Sequence, residues 1–130
     1  GRTGPPMAES KWMTRYIFPG GYVPSLSELA PAIENSGLWN LDLEVWRLHY
    51  AYTLRHWLRR FDANIEQVKK MYDARFIRMW RYYLTICFLS FELNRQAVFH
   101  FQLGHQRDAV PITRDYLYRR QDARKRQAAE

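Results

Sequence analysis

The chain has 130 residues, 47% of them hydrophobic and 16% aromatic, enough to bury a core within about one domain and too apolar for a mainly disordered segment. Twenty basic against 13 acidic residues leave a net charge of +7, which favours an anionic partner such as nucleic acid, phospholipid headgroups or an anionic cofactor. The single cysteine, Cys87, excludes an intrachain disulfide and a cysteine zinc site, and suits a reducing compartment.

Residues 1–15 carry neither a hydrophobic period nor a signal-peptide pattern; Gly4-Pro5-Pro6 reads as loop, and Ser10 to Tyr16 as a helical turn. From Tyr16 to Ser25 aromatic and apolar residues lead into Pro19-Gly20-Gly21 and then Pro24-Ser25. The glycines reach positive φ and the prolines fix φ on either side, so this segment should be a rigid loop with an apolar lip. Ser25 and Glu28 fit a capping box that opens a helix with Leu26, Leu29, Ala30 and Ile33 on one face. Gly37 suits its stop, and Pro31 sits awkwardly inside it.

Residues 38–47 alternate, with Trp39, Leu41, Leu43 and Val45 against Asn40, Asp42 and Glu44, which predicts a half-buried strand. Leu54, Trp57, Leu58, Phe61, Ile65, Val68 and Tyr72 keep a helical period through one long helix. A second runs from Phe76 through Tyr83, Leu84 and Cys87 to Phe91, and Ile86, Leu89 and Leu93 make its other face apolar, so it should be buried on most sides. Its apolar run, Tyr82 to Leu93, falls short of the roughly 20 residues that a membrane span needs. Residues 97–103 alternate again as a second strand, and the two-sided look of both strands points to a further neighbour. From Arg114 to Glu130 six basic and three acidic residues read as a solvated helical tail. The glycine-rich loop and acidic ribose partner of a nucleotide-binding βαβ unit are missing.

Several blocks occur in unbroken order: Gly1-Arg2-Thr3, Lys11-Trp12 to Ser25, His49-Tyr50-Ala51-Tyr52-Thr53-Leu54 with Trp57, Tyr72 to Phe76 with Arg78-Met79-Trp80, Tyr83-Leu84, and Val98 to Leu103. In these the chain resembles the C-terminal portion of the cyclopropane-fatty-acyl-phospholipid synthases, which are similar to the mycolic acid cyclopropane synthases. The resemblance implies an α/β fold class: the C-terminal part of a Rossmann-like seven-stranded methyltransferase fold, mostly helical here, with 38–47 and 97–103 as two antiparallel edge strands. Gly1 would follow directly on the fifth strand. Residues 1–105 would belong to the methyltransferase domain and 106–130 form a basic tail.

That family transfers a methyl group from S-adenosylmethionine to a cis double bond of an acyl chain, and loss of a proton closes the ring. The resemblance implies that the cofactor site and most catalytic residues lie upstream of Gly1, so this chain alone should be inactive. It implies a hydrogen bond from Tyr50 to a bicarbonate ion that acts as the base, with neighbouring His49 as a weaker candidate. Phe18, Leu54, Tyr83 and Cys87 match positions that line the acyl tunnel; as an apolar stripe at helical spacing they also read as ordinary core. Cys87, mid-helix among apolar residues, is no nucleophile.

Arg75, Arg78 and Arg81 on one helix, Arg55, Arg59 and Arg60 on the other, and Arg119, Arg120, Arg124, Lys125 and Arg126 in the tail are either a solvated face or a seat for anionic headgroups. The implied partners are phospholipid acyl chains, an anionic membrane surface and the remainder of the methyltransferase domain. The implied location is cytoplasmic, peripheral to the inner membrane face. A nucleic-acid module is disfavoured because the aromatics fall on core faces rather than a stacking platform. An interaction module that completes a partner chain stays open.

Overall fold

A computed structural model of the chain describes residues 1–2, 10–93 and 96–118. In order they form α1 Lys11–Tyr16, α2 Leu26–Asn35, β1 Trp39–Val45, α3 His49–Ala63, α4 Ile65–Met71, α5 Ala74–Leu93 and β2 Phe99–Gly104. The two strands pair antiparallel, and the other named elements among the described residues are helices.

The loop before α2 is built as its sequence predicts. Gly21 N donates to Phe18 O at 2.8 Å, and Gly20 holds φ at +70°. With Pro19 ahead of it this is a type II turn, whose third position favours glycine. The capping box forms: Ser25 Oγ accepts from Glu28 N at 3.3 Å and Ser25 N donates to the Glu28 carboxylate at 2.6 Å. Gly37, at φ +73°, follows the last turn of α2, and Pro31 is carried inside the helix.

Glu28 also ties the loop to the start of the chain. Its carboxylate accepts from the Tyr22 hydroxyl, and from Arg2 Nη2 at 2.9 Å, while Arg2 also donates to Tyr22 Oη at 3.0 Å. Arg2 is buried. Hydrogen bonds from Ser25 N, the Tyr22 hydroxyl, Ser25 Oγ and Arg2 hold the Glu28 carboxyl down at about 2, against an ordinary 4.5. A depressed carboxyl contributes stability that is fully present above pH 4.5 and is lost as pH falls toward 2. The melting temperature should therefore fall across that window more steeply in the native chain than in Glu28→Gln; parallel curves would show that the network carries no linkage.

Backbone pairing places residues 1–2 between two other segments. Gly1 and Ala97 exchange bonds of 2.8 and 3.0 Å, Arg2 N donates to Pro24 O at 3.0 Å, and Leu26 N donates to Arg2 O at 3.2 Å. Beyond Ala97, β2 pairs with β1 on one side, from Val45 opposite Phe99 to Trp39 opposite Gly104. The register slips between Asn40 and Asp42, leaving Leu41 as the extra residue of a bulge. A one-residue slip moves a side chain to the opposite face. Trp39 therefore leaves the Leu43 and Val45 side predicted for it and joins Asp42 and Glu44. Arg114 binds that same side through the Asp42 carboxylate and Leu43 O (3.1 Å), and Tyr116 Oη donates to Gln102 at 2.7 Å. Residues 115–118 are helical; the tail beyond them lies outside the described residues.

The helix predicted to run on through Tyr72 breaks at Asn64, which takes φ −107° and ψ 22°. Asn64 Nδ2 donates to Arg60 O at 2.8 Å, the local competition with helical bonding that makes asparagine a helix stop. α3 and α5 pack antiparallel, fastened by Arg55–Glu92 at 2.7 Å and Arg81–Asp62 at 2.6 Å. Ala51 and Leu54 from α3, Val68 from α4, and Ile77 and Leu84 from α5 are the buried apolar residues of this helical unit. The expectation that α5 is enclosed on most sides fails at its far end: Leu89 and Leu93 are exposed, while α3 meets this end of α5 through Phe88, Phe91 and Glu92. Among the described residues no helix is long and apolar enough to cross a membrane.

Candidate functional site

Tyr50 stands in the first turn of α3, where Leu48 leads into the helix and His49 N donates to Trp46 O at 3.1 Å. Leu54 follows one turn later on the same face, and Trp57 comes next. Across from them α5 presents Tyr83, Cys87 and Phe91 at intervals of four. The Tyr50 ring meets Phe91 edge-on at 4.8 Å and Trp57 at 6.0 Å, so its plane is set by two aromatic neighbours. Its hydroxyl has no hydrogen-bond partner among the described residues.

The loop supplies the other wall. Phe18, exposed at the apolar lip, lies edge-on to Tyr83 with centroids 6.0 Å apart. Burial, the neighbouring Cys87 and then Tyr50 push the Tyr83 phenol up to about 12. Burial also pushes the Cys87 thiol up to about 11, with the Tyr83 hydroxyl partly relieving it. Burial and Cys87 raise Tyr50 in the same direction. These shifts share one cause, an apolar surrounding that penalises every charged form. At neutral pH the site therefore offers neutral phenols and a protonated, unreactive thiol.

Tyr50, Phe18, Leu54, Tyr83 and Cys87 thus meet between α3, α5 and the loop. Leu54 is completely buried and serves as core, whereas Phe18 is half exposed and Tyr50, Tyr83 and Cys87 lie between these extremes. His49 turns away into a different cluster: Trp46 lies 5.2 Å from His49 and 4.3 Å from His100, and donates to Glu44 at 2.6 Å. Sequence reasoning passed over Phe91 and Trp57 as site residues, although their four- and seven-residue spacing from Cys87 and Tyr50 places them on the same faces. It also missed Arg2, Tyr22 and Glu28, which hold the loop in place; the Glu28 capping signal was the one clue. Of the basic residues, Arg55 and Arg81 are taken up in ion pairs, and Arg119, Arg120, Arg124, Lys125 and Arg126 lie outside the described residues.

The chain is similar over most of its length to known lipid methyltransferases. A fatty acid methyltransferase described as probable, from Pseudomonas putida, is 35% identical over 115 residues, covering 84% of this chain and 29% of that protein. The cyclopropane-fatty-acyl-phospholipid synthase of Escherichia coli K12 is 35% identical over 79 residues, 58% of this chain and 20% of the enzyme. The crystal structure of the mycolic acid cyclopropane synthase CmaA1, complexed with SAH and CTAB, superposes with a TM-score of 0.68 at 27% identity, over 72% of this chain and 33% of that one. The chain therefore spans between a fifth and a third of the length of these relatives. Its helices and two-stranded sheet correspond to part of their methyltransferase fold. The family model for mycolic acid cyclopropane synthetase matches residues 3–101, and the chain belongs to that family.

Proposed function

We propose that the protein carrying this chain is an S-adenosylmethionine-dependent methyltransferase that adds a methylene across cis double bonds of phospholipid acyl chains. This chain contributes the wall that holds the acyl chain and one hydroxyl at the reacting end. The observation that carries the reading is the Tyr50 phenol, an unspent donor on an apolar wall made by the same residues that match the family's acyl tunnel.

Phe18, Tyr83 and Cys87 offer an acyl chain an uncharged surface, and Leu54 backs it from the core. An apolar wall orients such a chain without competing for its electrons and keeps water from the site. Tyr50, neutral at neutral pH, donates a hydrogen bond where negative charge must be held. A bicarbonate ion fits that role, since a neutral phenol in an apolar surrounding favours an anionic acceptor. The chemistry such an ion supplies is proton acceptance as the ring closes. The cofactor, source of the methyl group, is assigned in this reading to the rest of the family fold.

The reading is tested with the full-length protein, labelled S-adenosylmethionine and phospholipids carrying either cis-unsaturated or saturated chains. Label should enter only the unsaturated lipid, with a mass gain of one methylene. Equal labelling of both lipids, or labelling of the headgroup, would overturn it.

A further inference from the structure

A groove of about 340 Å³ lies between α1 and the first half of α5 and shares no residue with the Tyr50 cluster. Trp12 and Tyr16 line it from α1, and Arg75, Arg78, Met79 and Tyr82 from α5. The Trp12 ring stands edge-on to Tyr82 at 4.6 Å and lies 5.7 Å from Tyr16, so the aromatic wall is fixed by its own contacts. Both tyrosines are exposed.

The arginines of this groove differ from the others on the helical pair. Arg55 and Arg81 are paired with Glu92 and Asp62, whereas Arg75 and Arg78 make no ion pair among the described residues. They also occupy the first two turns of α5, whose first turn holds no acidic residue. Asp73, just ahead of the helix, accepts from Phe76 N at 2.7 Å. That carboxylate caps the positive end of the helix dipole and forms no ion pair with either arginine, which leaves both guanidinium groups open to an outside anion. Residues three apart on a helix are neighbours, and two adjacent guanidinium forks match a phosphate group. Tryptophan and tyrosine flanking basic residues are the pattern of a membrane interface.

We propose that this groove seats the phosphodiester of an anionic phospholipid headgroup, held by Arg75 and Arg78 with Trp12, Tyr16 and Tyr82 around it. The fold relates this seat to the acyl wall. Tyr82 lines the groove and Tyr83, the next residue, lines the wall; α1 runs from the groove directly into the loop that carries Phe18. A lipid with its headgroup in the groove thus has its acyl chains beside the wall. The choice of a lipid as the phosphate carrier rests on the acyl-chain reading above; the phosphate chemistry does not.

The test is co-sedimentation of the 130-residue chain with vesicles of mixed phosphatidylglycerol and phosphatidylcholine, and with phosphatidylcholine alone. The native chain should partition onto the mixed vesicles and not onto the neutral ones. Arg75→Gln with Arg78→Gln should lower partitioning roughly thirtyfold, at about fivefold for each basic residue. Arg75→Lys with Arg78→Lys keeps the charge but loses the forks, and should lower partitioning severalfold, between the native chain and the Gln pair; partitioning equal to native would show charge attraction without a seat and overturn the proposal. Circular dichroism confirms that each variant is folded. Arg59→Gln with Arg60→Gln, outside the groove, should change little. An equal loss in that pair would show a diffuse field rather than a seat, and unchanged binding in the groove variants would sink the proposal. Saturable binding of glycerol phosphate in calorimetry, with no partitioning onto vesicles, would make the groove a soluble-phosphate site and also overturn it. Failure of the acyl-chain reading shows separately: equal labelling of saturated and cis-unsaturated lipids by the full-length protein would overturn that reading and leave the vesicle-partitioning results of the groove variants as they are.

Discussion

Replacing Tyr50 by phenylalanine in the full-length protein is expected to cut turnover about a hundredfold while the protein still folds and still takes up lipid. The substitution is a clean one because the ring contacts with Phe91 and Trp57 persist. Only the hydroxyl goes, and it has no partner in the described structure whose loss would disturb the fold. In an apolar surrounding one hydrogen bond to developing or bound charge is worth far more than in water, which sets the size of the effect. Mass spectrometry of the lipid products gives the rate and a thermal melt controls for folding. Turnover within about twofold of native would remove Tyr50 from the reacting site. Tyr83→Phe makes a useful contrast: its phenol, pushed up to about 12, is spent on Cys87, so the loss should be smaller.

Leu54→Ala should be the most damaging single truncation for stability, at about 2–5 kcal/mol. Leu54 is 0% exposed and sits where α3 meets α5, and Leu84 is its closest equal in burial. Removing it leaves a cavity between two packed helices that the surrounding side chains fill only in part. Since domains are stable by only about 5–15 kcal/mol, a chain with so few buried apolar side chains has little reserve. Urea denaturation followed by circular dichroism measures the loss, with Leu58→Ala, at a half-buried position, as the comparison. A larger loss for Leu58→Ala would mean that the core is not centred on the α3–α5 contact.

The sequence disclosed best those features that local chemistry decides. The type II turn at Pro19-Gly20, the Ser25–Glu28 box and the Gly37 stop all depend on residues within four positions of each other, and each is present. The facing stripes of α3 and α5 were legible for the same reason, since a helical period is a local signal. What escaped notice depends on distant partners. The Leu41 bulge follows from how β1 must register on β2, and the alternation of 38–47 carries no sign of it. The attachment of Arg114 to Asp42 joins residues 72 positions apart. The break at Asn64 was readable in principle, from the residue's taste for its own backbone, but the apolar period runs straight across it. The meeting of Tyr50, Tyr83 and Cys87 came from the resemblance to a family; spacing alone leaves them as core. Leu89 and Leu93 were mistaken for buried residues because an apolar helix face reveals that it wants a cover, not whether one is present.

The interleaving of residues 1–2 between 24–26 and 96–97 has a consequence for the order in which the chain assembles. Gly1 and Ala97 are 96 positions apart, and closing so long a loop precedes any bond that rewards it. The α3–α5 hairpin needs no such closure; its contacts span a short stretch and can form while the rest is still unordered. The rim loop, by contrast, is anchored to Arg2, and Arg2 is held in register by Ala97 through its neighbour Gly1. The lip that carries Phe18 is therefore a late arrival, set only once nearly the whole stretch from Gly1 to Ala97 exists. The amide hydrogens of Ser25 and Leu26 should exchange by local opening well before those of α3 and α5, so the segment that shapes the entrance is also the first to let go.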